Sequence, residues 1–194
     1  MPAQTPPKPK APVAPVDRRI QRTRDSLREA LMALMVERGW EDIDIQTLCQ
    51  RANIGRSTFY QHFDNKEALL KANFAGLRDA LLAHAADHAG PLGFVSGLLV
   101  HLHENREVFR ALIARRSGHY VQDRFRELLV ELVGRSTAPR ERKGWQAGAR
   151  AHYLGGALFE LLVWWLGSHR PQGPQEIEQL FTQWSARALE IPPG

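Results

Sequence analysis

Residues 45–66 read IQTLCQRANIGRSTFYQHFDNK, and this stretch decides the fold. Ile45, Leu48, Cys49 and Ala52 recur at i, i+3, i+4 and i+7, the spacing of one buried stripe on a short helix. Asp44 stands before that stripe as an N-cap, and Asn53 follows it as a residue that tolerates the left-handed conformation. Gly55 then caps a second short helix over residues 56–63, which buries Phe59 and Phe63. Two short helices meeting at a tight turn make a helix-turn-helix. The second keeps Arg56, Ser57, Tyr60 and Gln61 off its apolar face.

Outward from this core the chain is helical on both sides. Asp17 is the expected N-cap of a helix in which Ile20, Leu27, Leu31, Leu34 and Met35 fall at helical spacing, and Gly39 is placed to stop it. Arg18, Arg19, Arg22, Arg24 and Arg28 crowd its first half against only Asp17 and Asp25, a local cationic surface. Residues 1–16 hold six prolines and two lysines and read as a disordered, polyproline-like tail. Beyond Asn65, Leu70, Phe74, Leu77 and Leu81 mark a long helix that ends around Gly90 and Pro91. Further helices are predicted over 92–104, 106–117, 119–136, 142–167 and 174–190. No strand-like alternation and no internal repeat competes, so the fold class is all-α.

Composition narrows the class further. The apolar share of 43% suffices for a proper core, and the formal charge of +5 is compatible with an anionic partner. Cys49 is the only cysteine, so no intrachain disulfide is possible, and its place on the buried stripe makes it a packing residue. The apolar run 161–167 is too short to cross a bilayer, and no secretory h-region follows the N-terminus. The expected compartment is the cytoplasm, with no membrane partner. No nucleophile motif, phosphate loop or paired catalytic carboxylates is present, and no cofactor is expected. His84 and His88 lie four apart, and His101 and His103 sit beside Glu104, yet no cysteine or carboxylate at ligand spacing completes a metal set.

A helix-turn-helix reads base edges from the N-terminal part of its second helix. Arg56 sits there with a guanidinium suited to the O6 and N7 of guanine, and Ser57 adds a less selective contact. Tyr60, His62 and Lys66 carry donors suited to phosphate oxygens, and the amides at the helix start after Asn65 add an anion site. The stretch from Gly39 and Trp40 through Ile45, Leu48, Cys49, Ala52, Asn53, Ile54, Thr58, Phe59, Tyr60, His62, Phe63, Lys66 and Glu67 to Leu69 and Leu70 resembles the tetracycline-repressor (TetR) family of transcriptional regulators. The resemblance covers roughly residues 18–70 and implies an N-terminal three-helix DNA-binding domain joined to a C-terminal helical domain. It implies support for DNA binding from Arg18, Arg22 and Thr23 in the first helix and from Gln46 and Thr47 in the second. Two positions depart from the family pattern, which has glycine at Asn53 and serine at Gly55. Both substitutes suit their places, a left-handed turn residue and an N-cap.

The C-terminal part carries a surplus of apolar residues. In the family the last two helices pair with those of a second subunit, which implies a homodimer through Leu158, Leu162, Trp165, Ile177, Phe181 and Trp184, with Gly144, Gly148, Gly155 and Gly156 permitting close helix approach. An apolar cavity walled by some of Phe74, Leu98, Leu102, Phe109, Tyr120, Phe125, Tyr153 and Trp164 is the expected effector site, although each is also an ordinary core residue. The sequence thus divides into a tail over 1–16, a DNA-binding domain over 17–64 and an effector-binding and dimerisation domain over 65–194. The function expected is that of a homodimeric repressor of a palindromic operator, released by a small apolar or aromatic effector. A DNA-binding protein of the same fold answering to a protein partner is the alternative, and a helical enzyme is a more distant one.

Overall fold

A computed structural model describes residues 15–88, 90–113, 118–137, 144–168 and 172–190. Residues 1–14 of the expected tail, the 138–143 connection and residues 169–171 lie outside the described residues. Among the described residues there are nine helices and no strand.

α1 (Pro15–Arg38) starts two residues before Asp17, with a proline in its first turn, where the missing N–H costs nothing. It buries Leu27, Ala30, Leu31, Leu34 and Met35 along one stripe and stops at Gly39, whose φ of 84° suits glycine. α2 (Ile45–Ala52) is capped by Asp44, which accepts from Thr47 N at 2.7 Å. Those hydrogen bonds from Thr47 hold the Asp44 carboxyl below its ordinary range. α2 closes at Asn53 (φ 53°, ψ 47°), the only non-glycine with positive φ among the described residues.

α3 (Arg56–Tyr60) is shorter than the sequence predicts. Residues 61–63 leave the helix in a tight turn in which His62 N and Phe63 N both donate to Phe59 O at 2.9 Å. Asn65 caps α4 (Lys66–Ala86) by accepting from Ala68 N at 2.8 Å.

The remaining helices build the body. α5 (Phe94–Glu104) is its centre, with Phe94, Val95, Leu98, Leu99 and Leu102 all buried. α6 (Arg106–Ile113) packs on α1, and α7 (Gly118–Thr137) pairs along its length with α8 (Trp145–Gly167). Gly155 makes that pairing close, since a Cβ there would lie 2.9 Å from a Val130 methyl and 3.0 Å from its backbone. α9 (Pro174–Glu190) lies on α5. Arg106 fastens the far end of α8, its Nη2 donating to the carbonyls of Trp165, Leu166 and Ser168 at 2.9–3.2 Å. No helix among the described residues is long and apolar enough to cross a membrane.

Candidate nucleic-acid interface

α3 is held from behind and left open in front. Phe59 is fully buried, with Tyr60 edge-on at 5.4 Å and Phe63 at 6.1 Å. Leu48 and Cys49 of α2 bury into the same core. Burial raises the Cys49 pKa and keeps it a neutral thiol. On the outer side Arg56, Ser57 and Gln61 are exposed and Tyr60 is 49% exposed.

An open groove of about 540 Å³ runs across this outer side, bounded by Gln46 at the start of α2, Arg56 and Tyr60 on α3, and Asn65 and Glu67 at the start of α4. Gln46, Arg56 and Tyr60 are therefore brought to one groove. Thr47 beside them is half-buried, its N–H taken by Asp44. Arg18 and Arg22 stand exposed on α1, where the Thr23 hydroxyl donates to Arg19 O. Arg24 places its guanidinium 5.9 Å from the centre of the Phe63 ring and so ties α1 to the end of the motif. The sequence offers Arg24 only as one of a run of arginines.

Lys66 lines the same groove, and its Nζ donates to Trp40 O and Ile43 O, both at 2.9 Å, and lies 4.6 Å from the Trp40 ring centre. Carbonyls of the loop before α2 thus hold the ammonium through two of its three N–H groups. The helix start after Asn65 is likewise partly closed, because Asn65 Oδ1 takes the Ala68 N–H. His62, half-buried against Phe63, keeps a partial outward face.

The expected effector residues are divided between the core and the surface. Leu98, Leu102, Phe109 and Phe125 are sealed in the core. Phe125 packs on Phe74, Phe109 and Phe159 at ring distances of 5.7–6.1 Å, so aromatic rings fill the middle of the body. Tyr120 stacks on Trp40 at 5.6 Å, joining α7 to the motif, while Tyr153 and Trp164 point out from α8.

The expected dimer residues are mostly turned inward as well. Leu158, Leu162, Trp165, Ile177 and Phe181 are buried within the single chain; of that set only Trp184 is outside. The aromatic residues that α8 and α9 expose are Trp145 (78%), Tyr153 (67%), Trp164 (54%) and Trp184 (66%). On α8 they share their face with Gly148, Gly156 and Gly167, where a Cβ would meet nothing within 4 Å. Gly155 packs inside the chain, on α7.

Residues 27–72 match the family described as bacterial regulatory proteins, tetR family. The chain is 26% identical over 178 residues to YxbF, an HTH-type transcriptional regulator of Bacillus subtilis (strain 168), across 87% of this chain and 46% of that protein. It thus spans about half the length of that curated relative. A TetR transcriptional regulator from Streptococcus agalactiae 2603V superposes with a TM-score of 0.66 at 25% identity, over 87% of this chain and 96% of the other. Thermus thermophilus FadR, a TetR-family repressor solved in complex with lauroyl-CoA, shares the fold with a TM-score of 0.54 at 18% identity, over 88% of this chain and 97% of that one.

Proposed function

We propose that this chain is a TetR-family transcriptional regulator that acts as a homodimer, binds a palindromic operator, represses transcription and is released by a small-molecule effector. The observation that carries the reading is the exposure of Arg56, Ser57 and Tyr60 on one side of α3 while Phe59 anchors the other. A helix presented this way enters the major groove with its N-terminal residues against base edges. Arg56 reads guanine there, and Gln46, Thr47, Tyr60 and His62, with Arg18, Arg22 and Thr23 of α1, fix register on the backbone.

One such helix covers too few base pairs to specify a site, so two copies are needed, their reading heads about 34–36 Å apart. The exposed face of α8 supports this pairing: Trp145, Tyr153 and Trp164 supply contact area, and the open glycines let a second helix approach closely. Release follows if an effector prefers an arrangement of the heads that no longer matches two half-sites. The filled aromatic centre around Phe125 favours a second reading, in which a protein partner takes the place of the effector.

The deciding experiment is capture of genomic fragments on the intact protein, followed by footprinting of the enriched duplexes. Protection of two like half-sites is expected. Uniform retention of all fragments would contradict the reading.

A further inference from the structure

We infer that the groove between α4 and α5, closed at one end by Arg28 of α1, binds a small amphiphilic carboxylate. The proposal rests on the regulator reading above and gives its effector a place and a chemistry. The groove has a volume of about 400 Å³ and separates into three chemical zones.

At the first end Arg28 Nε donates to Asn73 Oδ1 at 3.0 Å, and its Nη1 lies 3.4 Å from Asp25 Oδ1. Its Nη2 lies 3.6 Å from where a Gly76 Cβ would stand, so the absence of a side chain at Gly76 leaves that guanidinium edge uncovered. Asn73 Nδ2 is buried beside it with no acceptor. A buried donor without a partner is costly, and the uncovered guanidinium edge beside it is the group that a ligand oxygen at this end would meet.

The middle of the groove is apolar, made by Leu77, Ala80 and Leu81 of α4. The other end is imidazole. His84 bonds Ser96 Oγ at 3.0 Å and rests on α5 at Gly97, where a Cβ would come within 2.7 Å of its ring. His101 stands edge-on to Phe109, and burial lowers its pKa, so it stays neutral.

One guanidinium, partly offset by Asp25, suits a singly charged anion and not a phosphate dianion, which calls for more cations. The apolar middle requires a hydrocarbon or aryl body behind that charge. The aromatic cluster around Phe125 packs in the interior, and this groove lies at its flank. Arg28 also belongs to α1, which packs on α2 of the helix-turn-helix. A carboxylate that competes with Asp25 and Asn73 for its guanidinium would bias how α1 sits on α4.

The test uses the intact chain with octanoate as probe and 1-octanol as the uncharged control, followed by calorimetry and by NMR of side-chain amide and imidazole signals. Octanoate is expected to bind one site per chain and to shift the Asn73, His84 and His101 resonances. Arg28→Met is expected to weaken octanoate by about tenfold or more while octanol changes little. Gly76→Leu, which fills the groove in front of Arg28, should abolish octanoate binding in a protein that melts cooperatively at or above the wild-type temperature. Absence of octanoate binding at millimolar concentration would overturn the proposal. So would equal affinity in Arg28→Met, or shifts centred on Phe109 and Phe125. Failure of the protein to retain any duplex, with or without octanoate, would instead count against the regulator reading itself.

Discussion

Lys66 Nζ, at the first residue of α4, donates to the carbonyl oxygens of Trp40 and Ile43 at 2.9 Å each while lying over the Trp40 ring. One ammonium thus joins the long helix of the body to the loop that launches α2. Charge-assisted hydrogen bonds of this kind are stronger than neutral ones. Lys66→Met should lower stability by about 1–3 kcal/mol, read in urea denaturation, by leaving both carbonyls without their donor. The salt dependence of DNA binding should keep its slope. A phosphate contact would behave in the opposite way, losing about one unit of slope with little change in stability.

Asn53 turns the chain between α2 and α3 with φ 53° and ψ 47°, and its N–H bonds back to Cys49 O and Gln50 O. A Cβ-bearing residue lacking the Asn amide is strained there. Asn53→Ala is expected to cost about 1–2 kcal/mol, whereas Asn53→Gly should match or exceed the wild type. Equal urea midpoints for alanine and glycine would show that the turn tolerates any side chain.

His101 supplies a pH dependence whose sign follows from its burial. Its folded pKa lies below the ordinary 6.5, chiefly because burial disfavours the charged ring, with Glu104 opposing the shift. As pH falls through 6.5 the unfolded chain takes up this proton first, so stability declines on acidification below that point. His101→Gln should flatten that part of the profile. Asp44, whose pKa is lowered from 3.8, adds stability that is present above 3.8 and is lost only as pH falls further, so the two effects separate.

The outer face of α8 makes a prediction about assembly. Trp164→Glu places a charge on an already exposed position and should leave the chain folded. It should nevertheless convert a two-chain species to one chain in sedimentation velocity, because a charge desolvated at a helix–helix contact without a partner is strongly unfavourable. An unchanged mass would move the interface elsewhere.

Local chemistry made much of the motif legible in the sequence. Asp44 caps α2 because its short side chain reaches an N–H three residues on, and Asn53 takes the left-handed turn that its position requires, whereas the same kind of cap by Asn65 closes amides that the sequence reading leaves open to an anion. Distance hid the rest. Lys66 is claimed by carbonyls 23 and 26 residues upstream, and the Trp165 indole N–H by Gln172 O across the α8–α9 turn. Leu158 and Leu162 could not be told from Trp164 as inner or outer residues, since α8 is apolar on several faces and periodicity alone does not say which face meets α7. The wall of the α4–α5 groove was equally hidden, because it joins Arg28 of α1 to residues of two later helices.

In the proposed complex two copies of α3 read DNA through Arg56. Selection of randomised duplexes by the wild-type protein and by Arg56→Ala tests it most directly. An inverted repeat is expected for the wild type, with a guanine preference in each half-site that relaxes in Arg56→Ala at a cost of about 1–3 kcal/mol per lost contact. An enriched sequence without two-fold symmetry, or an unchanged preference in the Arg56 variant, would contradict it.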